Sequence, residues 1–357
     1  MKLKAALISM NSVSSQWTAA SLKKYFDQVD TYDIRKIEVN MGDKEEVLHD
    51  GSLIERYDCI YAKGSFHYNA LLRAITTVLH KQSYMPIVPT AFTLGHDKLL
   101  TQLKLEQSGI PMPRTYLAAT PAAAHRILER ITYPAVMKFP EGTQGKGVMF
   151  ADSYASASSI LDALDALKQP FIIQEYIESG GMDTRVIVVG DKVAACMRRK
   201  AKSGEMRANV HAGGKGKKCA IDYETGRIAV NAAKAIGADI CAVDILDSAK
   251  GPLVIEVNLS PGLQGITEAT GIDVADQIAR YLFERTSSLK GSSQQKTAQE
   301  IMESIKPDQK EAAIITHLTF RGEKIVLPSV VTKLAKLTEH DEVVLKVEKG
   351  KITIGKS

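Results

Sequence analysis

The sequence predicts an α/β protein with more than one domain, and three observations indicate this class. Residues 1–94 alternate strand-like and helix-like patterns, which favours a parallel sheet with helices on its faces. A length of 357 residues suits two or three domains of roughly 100–200 residues each. Apolar residues make up 45% of the chain and charged residues 24%, as in an ordinary globular protein.

Composition argues against several other classes. The net charge of +5 is too weak to indicate nucleic-acid binding by itself. The four cysteines lack the CxxC pairing of a zinc site and the density of a disulfide framework, so we expect reduced thiols. The first apolar run is too short for a signal peptide, and no stretch approaches the ~18 apolar residues of a membrane span. These features predict a cytoplasmic protein.

The N-terminal part, residues 1–94, is predicted to hold the parallel sheet. Apolar runs mark its strands, and Trp17, Leu22 and Phe26 at helical spacing mark its first helix. The predicted elements are a strand at Lys4–Met10, a helix at Ser14–Asp27, strands at Thr31–Val39 and Tyr57–Ala62, and a helix at Tyr68–His80.

Two further parts, residues 95–178 and 179–286, mix helices with strands. Gly109 ends the first helix of the earlier part, and Gly190-Asp191 in the later part is a two-residue hairpin signal. The predicted helices are Asp97–Ser108, Pro121–Arg130, Ala155–Leu167, Glu224–Ile236 and Ile272–Phe283. The predicted strands are Thr115–Leu117, Ala135–Phe139, Phe171–Tyr176, Thr184–Val189, Lys192–Arg198, Ile240–Leu246 and Leu253–Val257.

The remaining sequence consists of two segments with different compositions. Residues 287–310 are polar and poor in apolar side chains, which predicts a linker. Residues 311–357 are rich in strand-forming residues and predict a small β-rich module.

The strongest functional signal is a trio of oxygen-bearing side chains in two predicted strands. Asp244 lies inside one apolar strand and Glu256 inside the next, while Asn258 shares a face with Glu256. Burying carboxylates costs several kcal/mol each unless they are paired or bind a cation, and neither strand contains Lys or Arg. Carboxylate and amide oxygens suit Mg²⁺ shared with phosphate oxygens. A solvated sheet face is the alternative.

A glycine-rich turn with Gly142, Gly145 and Gly147 follows the predicted strand that contains Lys138. Its glycines let the backbone approach a phosphate closely, and a lysine in an apolar strand would be desolvated unless an anion meets it. The turn lacks the ending of a Walker loop and opens no long helix, which excludes a Rossmann motif. A plain hairpin is the alternative, and Lys98 alone would be interpreted as a surface lysine.

Two weaker functional signals lie before and after the hairpin predicted at Gly190-Asp191. The strand that contains Glu175 runs into a flexible acidic turn, which can offer backbone groups to a purine and carboxylates to a ribose. Arg198 and the basic segment Lys200–Lys218 provide guanidinium groups that suit phosphoryl groups and carboxylates. A solvated loop or a nucleic-acid surface is the alternative, but no aromatic residues interleave to stack on bases.

Together and in this order, the motifs resemble those of the ATP-grasp superfamily, most of all its RimK-type glutamate ligases. The resemblance covers about residues 1–285 and implies the ATP-grasp fold, an N-terminal parallel α/β domain followed by two α+β subdomains that clamp ATP. The matching motifs are Asp97-Lys98, the Val-Met-Lys-Phe run at Lys138, Glu-Gly-Thr-Gln-Gly-Lys-Gly from Glu141, Gln-Glu-Tyr-Ile from Gln174, Asp183-Thr-Arg185, Arg207-Ala-Asn209 with His211, Val-Asp244-Ile and Ile-Glu256-Val-Asn258.

The resemblance implies the residues that bind ATP. The groups expected at the phosphates are Lys98, Lys138 and the turn residues Gly142, Thr143, Gln144, Gly145 and Gly147. Those expected at the adenine hinge are Glu175, Tyr176 and Ile177. For the ribose carboxylate, Asp183 is preferred over Glu178.

The resemblance likewise implies the metal and catalytic groups. Two Mg²⁺ ions, or Mn²⁺ in their place, would be held by Asp244, Glu256 and Asn258. The residues expected near the γ-phosphate are Arg207 and Asn209, with Arg198 helping to neutralise charge.

The implied activity is ATP-dependent ligation of a carboxylate to an amine through an acyl phosphate. The amino acid is expected to be glutamate, and the acceptor a protein C-terminus, a peptide or a small-molecule carboxylate. The sequence leaves the acceptor and the number of residues added open.

Residues 311–357 lie outside the ATP-grasp pattern and resemble the swapped-hairpin module of AbrB-type regulators and antitoxins. A module of this size cannot bury its own strands well, which implies pairing with a second copy and hence a homo-oligomer. Its weak positive charge favours oligomerisation over DNA binding. The alternative function is a nucleotide-sensing regulator whose ATP-grasp body controls a DNA-binding hairpin.

Overall fold

The chain divides into two units, Met1–Ser288 and Leu289–Ser357. The computed structural model describes residues 2–140, 147–201, 215–304, 319–321, 324–327, 329–338 and 340–356. The predicted site residues outside these ranges are Gly142, Thr143, Gln144, Gly145, Arg207 and Asn209.

A parallel sheet forms in the N-terminal part, which confirms the alternating pattern. The elements are β1 (Lys4–Ser9), α1 (Val13–Leu22), β2 (Gln28–Asp33), β3 (Ile37–Asn40), β4 (Glu46–His49), β5 (Ser52–Leu53), β6 (Cys59–Ala62) and α2 (Asn69–Leu79). The parallel strands stand in the order β2-β1-β6. Strands β3, β4 and β5 form a second, antiparallel sheet, which the sequence pattern does not predict.

The next part is an antiparallel sheet with its own core. Its elements are α3 (Pro89–His96), α4 (Lys98–Gln107), β7 (Thr115–Tyr116), α5 (Pro121–Leu128), β8 (Ala135–Lys138), β9 (Val148–Ala151), α6 (Tyr154–Ala166) and β10 (Ile172–Glu175). The strands stand in the order β7-β10-β8-β9, and every neighbouring pair is antiparallel. Leu128, Met137 and Leu161 belong to a core cluster between this sheet and its helices.

A five-stranded antiparallel sheet follows and carries most of the candidate site. Its elements are β11 (Met182–Val189), β12 (Lys192–Lys200), β13 (Lys215–Lys218), α7 (Tyr223–Ile236), β14 (Ile240–Ser248), β15 (Gly251–Asn258) and α8 (Gln264–Thr270). The strand order is β13-β12-β11-β14-β15. Gly190-Asp191 joins β11 to β12, as the hairpin signal predicts. Ile60 of the parallel sheet and Val243 of this sheet belong to one continuous core.

The last helix of the first unit is longer than the sequence predicts. Helix α9 runs from Val274 to Ser304, so the predicted end at Phe283 is wrong and the predicted linker is helical as far as Ser304. The segment is polar but contains no proline, and Gly291 alone costs only about 1 kcal/mol in a helix. In the described part of the chain, no helix is both long and apolar enough to cross a membrane.

The second unit contains two small hairpins. Its elements are β16 (Thr319–Arg321), β17 (Lys324–Val326), α10 (Ser329–Leu334), β18 (Val343–Glu348) and β19 (Lys351–Lys356). Strands β18 and β19 pair with Leu345 opposite Ile354 and Val347 opposite Ile352, so these four side chains share one face. Leu345 is 59% exposed and Val347 72% exposed. The AbrB-like resemblance of this unit stays a prediction.

Candidate functional site

One face of the five-stranded sheet carries the predicted magnesium ligands. Asp244 on β14 is paired with Glu256 on β15, and Asn258 follows Glu256 by two positions on the same strand. Directly opposed residues, and residues two apart on a strand, point to the same face of a sheet. The structure therefore brings Asp244, Glu256 and Asn258 together.

Two arginines reach the same face from the neighbouring strands. Arg185 on β11 is paired with Asp244, and its Nε and Nη2 donate to the two carboxylate oxygens at 2.8 and 2.7 Å. Arg199 on β12 places Nη2 at 2.9 Å from Oδ2 of Asp244. Burial alone would raise the pKa of Asp244, but the two guanidinium groups outweigh burial and hold that pKa below its usual range.

These two arginines, and not a metal ion, compensate the buried charge of Asp244. Asp244 has two cationic partners before any metal binds, so the expectation that its burial requires a metal ion is wrong. The two strands that hold the trio contain no Lys or Arg, as the sequence shows, but β11 and β12 supply both cations. Asp244 can take part in a metal site only by sharing its oxygens with these arginines.

Glu256 is in a different electrostatic environment. Within the described residues its carboxylate forms no hydrogen bond and no ion pair. Burial raises the pKa of Glu256 and the charge of Asp244 raises it further, while Arg185, Lys98 and Lys138 oppose this shift. Glu256 is therefore the member of the trio whose oxygens are most open to a ligand, and lysines from the preceding part of the chain lie near it.

The donor set fits a hard divalent cation. Asn258 Oδ1 accepts the backbone N–H of Ser260 at 2.9 Å, which fixes the amide and leaves a second lone pair on that oxygen. Two carboxylates and an amide oxygen are ligands that Mg²⁺ accepts, with water and phosphate completing its shell. Across the described ranges, no cluster of three or more His, Cys, Asp or Glu side chains provides a different metal site.

Lys138 is held at the end of β8 beside this face. Its Nζ donates to Oε1 of Gln174, and Nε2 of Gln174 donates to Oγ1 of Thr115 at 2.9 Å. Burial lowers the pKa of Lys138 to about 8, an effect that Lys98 strengthens and Glu256 opposes. Gln174 therefore positions Lys138, a role that the sequence does not reveal, because the strand pairing of β8 with β10 is needed to see it.

The base of the glycine-rich turn is closed by a backbone hydrogen bond. Phe139 N donates to Gly147 O at 3.1 Å, and Gly147 has a φ of +76°. A Cβ at position 147 would overlap the ring of Phe139. Position 147 therefore requires glycine for its backbone conformation and for its close contact.

Lys98 lies beside the start of the same turn. It begins α4, whose N-terminus is capped by the Asp97 carboxylate, and Lys98 N donates to Pro140 O at 3.1 Å. This contact joins the helix start to the residue just before the glycine-rich turn. Lys98 and Gly147 therefore both border the glycine-rich turn that follows the strand of Lys138; their roles at the phosphates stay a prediction.

The predicted adenine hinge leaves β10 with part of its backbone open. Glu175 N donates to Arg114 O at 2.8 Å. Tyr176 packs edge to face against Phe150, with 6.1 Å between ring centroids. Among the described residues, the backbones of Tyr176 and Ile177 form no hydrogen bonds with other backbone groups, so they can serve a ligand.

Asp183 occupies a position that does not suit the preferred ribose role. It is paired with Arg199 on β12, and both of its carboxylate oxygens accept hydrogen bonds from that guanidinium at 2.6 Å. Burial raises the pKa of Asp183, and Arg199 opposes this shift. Glu178, the alternative that the sequence leaves open, is in the turn after β10, and its Oε1 accepts the N–H of Gly180 at 3.0 Å.

The sequence selects the wrong arginine on β12. Arg198 points to the opposite face of the sheet from Arg199, because successive residues of a strand alternate. It is half exposed, and its Nη2 contacts Asp247 Oδ2 at 3.1 Å. Arg198 therefore cannot neutralise charge beside Asp244, whereas Arg199 and Arg185, which the sequence analysis leaves without a role, do so.

Comparisons with known structures identify the fold. The fold is similar to that of ATP-grasp ligase PsnB complexed with a phosphomimetic variant of its minimal precursor, Mg and ADP. The TM-score is 0.62 at 19% identity, and the match covers 80% of this chain and 99% of that one. The fold is therefore that of ATP-grasp ligases.

Comparisons of sequence identify the family to which the chain belongs. Residues 95–282 match the RimK-like ATP-grasp domain. A probable alpha-L-glutamate ligase of Vibrio cholerae serotype O1 is 35% identical over 295 residues, covering 80% of this chain and 97% of that protein. One of Serratia proteamaculans is 41% identical over 241 residues, covering 66% of this chain and 79% of that protein. The chain therefore belongs to the RimK-like ATP-grasp family.

Proposed function

We propose that this protein adds glutamate to a carboxylate acceptor in an ATP- and magnesium-dependent reaction. The observation that carries the proposal is the Glu256 carboxylate, which has no hydrogen-bond or ion-pair partner among the described residues. It lies near Lys98 and Lys138 on the face it shares with Asp244 and Asn258. The naming of the relatives as alpha-L-glutamate ligases supports glutamate as the amino acid.

The residues of the site have distinct roles in this proposal. Glu256, Asp244 and Asn258 would hold magnesium, which supplies shielding of the phosphate charges when it is bound. Lys98 and Lys138 would bind phosphate oxygens, with Gln174 positioning Lys138. The open backbone of Tyr176 and Ile177 would bind the adenine, and Glu178 would take the ribose contact in place of Asp183.

The reaction needs positioning and charge neutralisation more than a protein nucleophile. A carboxylate oxygen of the acceptor attacks the γ-phosphorus, and the bond between that phosphorus and ADP breaks. The amine of glutamate then attacks the acyl carbon of the resulting acyl phosphate, phosphate leaves, and the nitrogen loses a proton. Arg207 and Asn209 keep their proposed place beside the transferred phosphoryl group, and Arg199 replaces Arg198 as the third group there.

The test is release of ADP by the purified full-length protein. The assay combines ATP and Mg²⁺ with L-glutamate and a panel of acceptors that includes peptides with free C-termini and small carboxylates. We expect ADP release that depends on both an amino acid and an acceptor, and mass spectrometry should show a product heavier by one or more glutamyl residues. Amino-acid-independent ATP hydrolysis, or no hydrolysis with any pair, would contradict the proposal.

A pair of variants tests the central carboxylate in the same assay. Glu256→Gln keeps the shape of the side chain but removes its charge, so ADP release should fall by about 100-fold or more. Glu268→Gln, an exposed position on α8, is the matched control and should behave as the wild type. Full turnover by Glu256→Gln would exclude the proposed metal role of this residue.

We also propose that the second unit forms an oligomer by pairing with a second copy of itself. The support is the exposed apolar face of β18 and β19, since an isolated two-stranded hairpin is marginally stable in water. A second copy that covers this face would remove the exposed leucine and valine side chains from water.

A further inference from the structure

The strand order of the N-terminal sheet predicts a crevice that the proposed nucleotide site does not use. Its central strand is β1, which has β2 on one side and β6 on the other, all parallel. At such a reversal of strand order, the loops beyond the carboxyl ends separate and leave room for a ligand. Ser9 ends β1, and Lys63 directly follows β6.

Lys63 is a buried cation in this crevice. Its exposed fraction is 5%, and its Nζ lies 3.5 Å from the carbonyl oxygen of Pro261 and 5.8 Å from the centre of the Tyr61 ring. In the described part of the chain, no carboxylate lies within ion-pair distance of this ammonium. Burial lowers the pKa of Lys63 to about 8, so most of the amine is still charged at neutral pH.

An ammonium without a counter-ion costs several kcal/mol when buried, and a buried lysine of this kind is expected to have an anionic partner. The carbonyl of Pro261 and the ring of Tyr61 are weak substitutes, since neither carries a full negative charge. Since none of the described residues supplies the missing negative charge, we expect a bound molecule to supply it.

The crevice is joined to the proposed metal site by a short chain of hydrogen bonds. Gly64 N donates to Ser260 Oγ at 2.9 Å, and Ser260 N donates to Asn258 Oδ1 at 2.9 Å. On the other side, Leu263 N donates to Ser14 Oγ at 2.8 Å, which seats the segment after β15 on the first turn of α1. The residues that follow β15, the strand with the proposed metal ligands, therefore border Lys63.

We propose that Lys63 binds a carboxylate of one of the two ligase substrates in this crevice. The inference rests on the proposed function, because a carboxylate–amine ligase of glutamate must bind carboxylates close to its nucleotide site. The carboxylate can belong to the incoming glutamate or to the acceptor. The chemistry at Lys63 is the same for both, so the experiment has to distinguish them.

The test is steady-state kinetics of three variants of the full-length protein. Lys63→Met removes the charge at similar length, Lys63→Arg retains the charge, and Lys234→Met on the exposed face of α7 is the matched control. ADP release is measured while glutamate, the acceptor and ATP are varied one at a time. The substrate whose KM changes identifies the owner of the carboxylate.

We expect Lys63→Met to raise KM for one carboxylate substrate by about tenfold or more, because a buried charge pair is lost. KM for ATP should stay within about twofold of the wild type, and Lys63→Arg should recover most of the affinity. The thermal midpoint of Lys63→Met should not fall, because the variant removes an unpaired buried charge. Lys234→Met should match the wild type in every measurement.

Two results would overturn the inference and can be told apart. An active wild type with unchanged KM values for both carboxylate substrates in Lys63→Met contradicts the role of Lys63 alone. A wild type that releases no ADP with any pair contradicts the proposed function, and the inference falls with it.

Discussion

At the scale of single residues, two adjacent arginines on β12 have opposite surroundings. Arg199 is 5% exposed in its side chain and binds the carboxylates of Asp183 and Asp244, while Arg198 is 50% exposed and contacts only Asp247 among the acidic residues described. A buried ion pair that loses one partner leaves an uncompensated charge, whereas an exposed pair contributes little. The two positions therefore make a matched comparison.

Replacing each arginine by methionine should change the free energy of unfolding by different amounts. Arg199→Met should lower the free energy of unfolding by about 3 kcal/mol, since two buried carboxylates lose a partner. Arg198→Met should lower it by less than about 1 kcal/mol. Urea denaturation of the two variants measures both values. If both variants lose the same free energy of unfolding, the buried ion pairs of Arg199 contribute no more to stability than the exposed ion pair of Arg198.

Sequence reasoning finds some site residues and misses others for a physical reason. Asp244 and Glu256 stand out because a carboxylate inside an apolar run is rare, and this contrast is visible without a structure. Arg185 and Arg199 do not stand out, because their role depends on which residue faces them across a strand pair. Register of this kind is fixed by the hairpin and the sheet, not by any local pattern.

At the scale of elements, the end of the glycine-rich turn at the start of β9 requires glycine at position 147. Gly147→Ala would force a Cβ against the ring of Phe139 at a φ of +76°. The hydrogen bond from Phe139 N to Gly147 O should then be lost, and affinity for ATP should fall by about tenfold. Isothermal titration with a non-hydrolysable ATP analogue and Mg²⁺ measures this change.

Gly109 provides the control for this substitution. It has a φ of +66°, but a Cβ built there meets no described atom within 4 Å. Gly109→Ala should therefore show the cost of the backbone conformation alone, about 1 kcal/mol of stability, with unchanged affinity for the ATP analogue. If both variants bind the analogue equally well, the contact with Phe139 does not shape the turn.

Most elements follow from local patterns, and the exceptions have identifiable causes. The predicted strand at Thr31–Val39 is divided, because Asp33 accepts the N–H of Arg35 at 3.0 Å and starts a short 3₁₀ turn at Ile34–Lys36. Helix α9 continues past Phe283 because a polar composition alone does not end a helix. Polar helices and polar linkers have similar sequences, so composition could not separate them.

At the scale of the whole molecule, the order of the motifs is more informative than any single motif. Each motif has an ordinary explanation when taken alone, including a hairpin for the glycines and a surface position for Lys98. The approach of Lys98 and Lys138 to Glu256 is a long-range feature that the sequence shows only through its resemblance to a family.

The proposed oligomer gives a test at the same scale. Leu345→Lys places a charge on the apolar face of β18 and β19, so the mass in solution should fall to that of a monomer. Thr353→Lys adds the same charge on the opposite face and should leave the oligomer intact. Light scattering coupled to size-exclusion chromatography measures the mass. A wild type that is itself a monomer at micromolar concentration would contradict the pairing.

The most direct test of the central claim is the magnesium dependence of nucleotide binding. Isothermal titration of ADP into the wild type should show affinity at least about tenfold higher with Mg²⁺ than with EDTA, because Glu256 would hold the ion and the ion would shield the phosphate charges. In Glu256→Gln the two affinities should be nearly equal. If Glu256→Gln keeps the full magnesium dependence of the wild type, the shared face of β14 and β15 is not the metal–nucleotide site.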